Sequence, residues 1–151
     1  MVKQKELKNS MLDNLYREEI LEHYQNPLHF GRPERFDVST KQLNPFCGDE
    51  VEIFVSFENT SLAKGVKKKT PLGCKSIGEV NFVGKGCAIS IAAASILTDF
   101  AKGKSEKELT NFREEDMLRL LKIAVSETRK KCAFLPLFVL KDCLYGAKSK
   151  S

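Results

Sequence analysis

Ile77-Gly78-Glu79-Val80-Asn81-Phe82-Val83-Gly84-Lys85-Gly86-Cys87-Ala88-Ile89-Ser90-Ile91-Ala92-Ala93-Ala94-Ser95 is the stretch from which the architecture can be read. Its first part, Ile77 to Val83, has the composition of a short strand. At Gly84-Lys85-Gly86-Cys87 the pattern breaks. From Ala88 to Phe100 the chain is rich in Ala, Ile and Leu without strand alternation, so a helix is expected to begin just after Cys87. Its small residues, Ala92 to Ser95, permit close packing on a sheet, and Gly103 is placed to end it.

Upstream, Val51, Ile53, Val55 and Phe57 alternate with Glu52, Phe54, Ser56 and Glu58, the period of a strand with one face buried. A further strand is expected over Leu62 to Lys68, across an Asn59-Thr60 turn, followed by a loop from Thr70 to Ser76. Three successive short strands are most simply joined as an antiparallel meander. Before them, Leu12, Leu15, Tyr16, Ile20 and Tyr24 fall at helical spacing until Asn26-Pro27 stops the pattern. The intervening His29 to Pro45 has Gly31, Pro33 and Pro45 and little periodicity, and reads as an irregular connection.

Downstream, Ser105 and Glu108 have capping-box spacing. Met117, Leu120, Leu121, Ala124 and Val125 predict a helix reaching to about Glu127. Cys132 to Leu144 is expected to form a last helix with Pro136 in or near its first turns. Helix, strands, then helices describe an α+β fold: a small antiparallel three-stranded sheet packed against several helices. The chain of 151 residues suits one domain, expected over 12–145, with polar flexible tails at 1–11 and 146–151.

The net charge of +5 raises the question of nucleic acid. Segments 1–11, 64–69 and 147–151 hold nine of the 25 basic residues and one acidic residue, Glu6, so the body of the domain is mildly acidic. With no Arg-rich recognition helix, RNA-binding strand motif or zinc-finger spacing, no nucleic-acid partner is expected. No apolar run is long enough for a membrane span, and the Lys-rich start lacks the apolar core of a secretory signal. A cytoplasmic protein is therefore expected, without a membrane partner. In that compartment five cysteines point to metal binding or thiol chemistry rather than disulfides.

Cys47, Cys87 and Cys132 each fall at an expected junction between elements, where side chains from distant parts of the chain can converge. Gly48, Gly84 and Gly86 beside them permit a tight backbone. Asp49, two residues after Cys47, can point the same way in an extended chain. Three thiolates and a carboxylate make a tetrahedral zinc site or hold iron. Either Cys47 or Cys132 can serve as a nucleophile if a metal, or the cations Arg129, Lys130 and Lys131, favours its thiolate. Spacing alone leaves each of them equally open to a buried structural role, since there is no C-x-x-C knuckle. Cys143 lies eleven residues beyond Cys132, about 16 Å along a helix, and is expected to be a core thiol. Cys74 is open between an exposed thiol and an auxiliary ligand, and His23 and His29 read as packing or surface residues.

Four ordered motifs carry a resemblance. They are Leu15-Tyr16-Arg17 through His23-Tyr24-Gln25-Asn26-Pro27; Asn44-Pro45-Phe46-Cys47-Gly48-Asp49; Phe82-Val83-Gly84-Lys85-Gly86-Cys87-Ala88-Ile89-Ser90; and Arg129-Lys130-Lys131-Cys132-Ala133-Phe134-Leu135. Together they resemble the NifU/IscU/SufU family of iron-sulfur scaffold proteins, over about Leu12 to Leu144. The resemblance implies a SufE/NifU-like fold. It implies that Cys47, Asp49, Cys87 and Cys132 bind Zn2+ or Fe and a transient [2Fe-2S] cluster. It also implies a pyridoxal-phosphate cysteine desulfurase as sulfur donor and apo iron-sulfur proteins as recipients, with Arg129 and the nucleophiles Cys47 and Cys132 as the reactive set. Lys131 stands where IscU-type members carry His, and Arg129 matches SufU-type members. The short interval from Cys87 to Cys132 lacks the SufU-type insertion, and the Leu-Pro-Pro-Val-Lys motif of IscU-type members is missing. The expected function is thus a cluster assembly scaffold, or alternatively a zinc-dependent sulfurtransferase that never holds a cluster. A purely structural zinc domain is the third reading.

Overall fold

The computed structural model describes residues 2–45, 48–58 and 76–149, with side chains described between 14 and 145 in those spans. Its elements run α1 (Val2–Gln25), β1 (Val38–Asn44), β2 (Asp49–Glu58), β3 (Ser76–Lys85), α2 (Ala88–Ala101), α3 (Glu106–Thr110), α4 (Glu114–Leu121) and α5 (Glu127–Ser149). The strands form one antiparallel sheet in the order β1-β2-β3. Helices α2 and α5 pack on it and on each other, and α1 packs on α2. The α+β architecture expected from the sequence is the one observed. No helix among the described residues is long and apolar enough to cross a membrane.

Strand β2 is central and carries the core: Val51, Ile53 and Val55 are completely buried together with Ile77, Val80 and Phe82 of β3. Against them lie Ala92, Ala93, Ala94 and Leu97 of α2, whose small side chains let the helix approach closely, and Leu137, Leu140 and Leu144 of α5. Phe54 departs from the one-faced reading of this strand. It points to the opposite face yet is buried, because the segment before β1 folds over it. The Phe36 ring lies 5.0 Å away edge-on, and the Arg32 guanidinium sits 5.2 Å from the Phe54 ring centre.

The middle strand of the expected meander, Leu62 to Lys68, lies outside the described residues. The third strand of the observed sheet is β1, within the stretch read as an irregular connection. Its residues Val-Ser-Thr-Lys-Gln-Leu-Asn show no apolar alternation because three of the four inward positions, Thr40, Gln42 and Asn44, are polar and only Val38 packs on the core. Gln42 there donates to Asp142 on α5, while the apolar Leu43 points outward and is exposed. An edge strand that meets a helix through polar contacts is invisible to a search for hydrophobic period.

Helix boundaries moved for physical reasons. Helix α1 begins at Val2, ten residues before the expected Leu12, since Lys, Gln, Glu, Leu and Met form helix readily and no Gly or Pro intervenes. Of its expected apolar face, Ile20 is buried whereas Leu15 and Tyr24 are exposed. Helix α4 stops at Leu121, with Lys122 in the left-handed region at φ 62°. The apolar period past it belongs to an extended segment, where Ile123 and Val125 still pack on the core. Ser105 caps α3 as expected, accepting from the Glu108 N–H at 3.2 Å.

Helix α5 starts at Glu127, so Cys132 lies more than a turn inside it, and Pro136 sits in the interior rather than the first turns. The helix runs straight through Arg129-Lys130-Lys131, held at its start by Ser126, whose carbonyl accepts from the N–H groups of Arg129 and Lys130. Pro136 has no N–H for the Cys132 carbonyl, which removes one bond of the helical ladder beside the sulfur.

Candidate metal centre

The site is built where β2, the β3–α2 corner and α5 meet. Asp49 opens β2, paired with Asn44 at the end of β1, and is buried to 1% exposure. Cys87 occupies the N-cap of α2. A cap residue commonly spends its side chain on the exposed N–H groups of the first turn, but the Cys87 thiol makes no such bond. Instead its backbone N–H is taken by Asp49, across 38 residues of sequence, at 3.0 Å from Oδ1. The sulfur is thereby left directed toward the other Asp49 oxygen, 3.9 Å from Oδ2.

Gly86 makes this contact possible. It has φ 158°, and a Cβ there would lie 2.3 Å from Asp49 Oδ1 and 2.7 Å from Ser90 Oγ. No side chain larger than hydrogen fits between the acid and the helix.

Cys132 comes in from α5, fully buried. One carboxylate oxygen of Asp49 and the sulfurs of Cys87 and Cys132 all lie within 4.8 Å of one another. Tetrahedral zinc with sulfur at about 2.3 Å requires ligand atoms roughly 3.8 Å apart, so the three donors need draw in by only about 1 Å. Two thiolates and a carboxylate are a donor set suited to zinc or iron, and they leave a fourth position open.

Arg129, one turn before Cys132, faces the same sulfurs. The charge on Cys87 first, then a hydrogen bond to it and the charge on Cys132, raise the Arg129 pKa above the usual arginine value. A permanent cation therefore stands at the edge of the metal-binding group.

The structure thus brings together Asp49, Cys87, Cys132 and Arg129 of the residues singled out in the sequence. Cys47 and Cys74 lie outside the described residues. Cys143 is a core thiol, its sulfur 3.4 Å from the Ile53 carbonyl. Burial pushes its pKa up from 9.0 to about 11. His23 and His29 tie the N-terminal segment to α2, through Ser95 at 2.8 Å and Asp99 at 3.1 Å, away from the sulfurs. Ser90 was not singled out. The signal for it was its position, three residues after a helix-capping cysteine.

A three-stranded sheet packed against helices, with two thiols and an acid from three separate elements brought together, defines a small α+β domain with a candidate metal centre. The NifU-like N terminal domain family matches residues 15–150, and the chain belongs to that family. Among its relatives is the zinc-dependent sulfurtransferase SufU of Bacillus subtilis, 31% identical over 96 residues, covering 64% of this chain and 54% of that protein. The iron-sulfur cluster assembly scaffold protein IscU of Streptococcus pyogenes is 33% identical over 100 residues, 66% of this chain and 52% of the relative. The chain thus spans about half the length of these two relatives. The solved N-terminal part of a NifU-like protein from Brucella abortus has the same fold, with a TM-score of 0.67 at 19% identity, covering 93% of this chain and 99% of that one.

Proposed function

We propose that this protein is an iron-sulfur cluster assembly scaffold that gathers iron and sulfide on Cys47, Asp49, Cys87 and Cys132 and passes the product to apo iron-sulfur proteins. The observation that carries the reading is the convergence of Asp49, Cys87 and Cys132 within 4.8 Å, from three elements that share no local sequence. Cys47, two residues before Asp49 in the sequence, is taken as the fourth ligand. Residues 12–145 act as one domain, in the cytoplasm.

Sulfur comes from a pyridoxal-phosphate cysteine desulfurase. A thiolate of this protein attacks the outer sulfur of the donor's persulfide; a new S–S bond forms here, the donor's S–S bond breaks, and the donor cysteine leaves as thiolate. The transfer itself changes no oxidation state; releasing the bound sulfur as sulfide for a cluster takes two electrons per sulfur, supplied by an external thiol or electron-transfer protein. Cys47 is the first acceptor and Cys132 the second, because Cys132 is wholly buried whereas an attacking sulfur needs access. Arg129 complements negative charge on the sulfurs during exchange.

A second reading, a zinc-dependent sulfurtransferase, is favoured by two observations: Arg129 lies against Cys87 and Cys132, and Lys131 takes the position of the IscU-type His. Zinc, when bound, would hold the thiolates in their anionic form. Anaerobic reconstitution with iron, cysteine and a cysteine desulfurase separates the two. A visible cluster chromophore that Cys87→Ser abolishes, and that an apo-ferredoxin takes up, establishes the scaffold. Tightly held zinc, no chromophore and faster desulfurase turnover establish the sulfurtransferase.

A further inference from the structure

Ser90 is fully buried, and its hydroxyl has two partners on one residue. It donates to the Cys87 carbonyl at 3.0 Å, and it lies 3.8 Å from the Cys87 sulfur, within hydrogen-bonding range for sulfur. The carbonyl does not depend on it, because the Ile91 N–H also donates there at 3.2 Å as part of the helix. Swinging the hydroxyl proton from carbonyl to sulfur therefore leaves no buried acceptor without a partner. Asp49 and Ser90 flank the same sulfur, at 3.9 and 3.8 Å, and both rest on the bare Cα of Gly86.

We infer that Ser90 is a positioning residue of the metal centre, its hydroxyl placed to turn from the Cys87 carbonyl onto the Cys87 sulfur when that sulfur holds a metal. The inference rests on the ligand assignment proposed above. Once Asp49 turns to a metal, the donors left beside the half-buried Cys87 sulfur are the Arg129 guanidinium and the Ser90 hydroxyl. Ser90 acts from within the helix that Cys87 begins. The thiolate is thereby held in one rotamer and its electron density drawn partly away from a bound metal.

The test uses the full chain and Co2+ as a spectroscopic probe, with Zn2+ affinity measured by chelator competition. Wild type should bind one Co2+ with an intense thiolate charge-transfer band that Asp49→Ala removes or severely weakens; if wild type gives no such band, the ligand assignment falls and this inference with it. Given that band, Ser90→Ala should shift it to lower energy and weaken Zn2+ binding roughly tenfold. The thermal midpoint of the metal-free protein should change little, as Ala is at home in a helix. Ser90→Thr, which keeps the hydroxyl, should restore the band position. A Ser90→Ala protein with wild-type band energy and affinity would overturn the inference while leaving the metal site intact. An affinity loss matched by a lower midpoint of the metal-free protein, with no band shift, would assign Ser90 to packing alone and overturn it too.

Discussion

Cys132 and Cys143 sit on one helix, are both almost completely buried, and belong to different chemistries. Around Cys132 are a buried carboxylate, a second thiol and a guanidinium. Around Cys143 are the Ile53 carbonyl, Thr40 and the apolar interior, and burial pushes its thiol pKa up to about 11. Burial therefore does not separate a candidate ligand cysteine from a core cysteine. What separates them is whether a cation and further metal donors lie beside the sulfur. The polar end of α5 meets β2 where Asp49 begins it; the apolar end meets the same strand at its completely buried centre.

The largest test of that contrast removes a donor at each end. Asp49→Ala should weaken zinc binding by more than about 100-fold, beyond the 10–100-fold range of an outer-shell loss. Cys143→Ala should leave affinity within about twofold. Chelator competition on the two variants reads both, and equal losses would erase the distinction.

Next comes the packing that lets acid and helix cap meet. Gly86→Ala places a methyl 2.3 Å from Asp49 Oδ1 on a backbone at φ 158°. It should cost about 2–3 kcal/mol of stability in urea unfolding and lower metal affinity along with it. Unchanged affinity in a folded Gly86→Ala protein would mean that Asp49 does not need its present position.

The pH dependence of stability sharpens the other end. The Cys143 thiol has a raised pKa in the fold, so its contribution is present in full below its unfolded value near 9 and is lost as pH rises toward 11. The loss should reach about 2–3 kcal/mol. Denaturant titrations from pH 8 to 11 on wild type and Cys143→Ala should converge as pH rises, because the variant lacks this term. Parallel curves would show that the sulfur ionises as freely in the fold as outside it. The smallest expected effect is at Arg129: Arg129→Gln should leave the fold unaffected and slow persulfide acceptance from a desulfurase a few-fold, measured by mass of the trapped adduct.

Much of this molecule was legible in its sequence. The β3-to-α2 switch at Cys87, the Ser105 cap, the alternation in β2 and the core character of Cys143 all rest on local pattern, and local pattern is what a residue's own backbone and nearest neighbours impose. The cysteine and aspartate motifs point to Cys47, Asp49, Cys87 and Cys132, of which the structure brings Asp49, Cys87 and Cys132 within 4.8 Å of one another. Strand β1 escapes local pattern because all but Val38 of its inward residues are polar, and the start of α5 lies earlier than the apolar period because basic residues occupy its first turns. The burial of Phe54 could not be read at all, since its cover comes from Phe36 and Arg32 in a segment without period.

The sequence by itself, then, determined strands β2 and β3, most of the helices, the class of fold and the residues able to bind a metal. Only the tertiary structure decided that Asp49 takes the Cys87 N–H across 38 residues, that Cys132 enters from mid-helix, and that Ser90 and Gly86 shape the pocket. The physical reason is one of range. Dihedral preference and hydrophobic period act over a few residues, whereas a metal-binding group is an agreement among three segments that meet only when the core has packed.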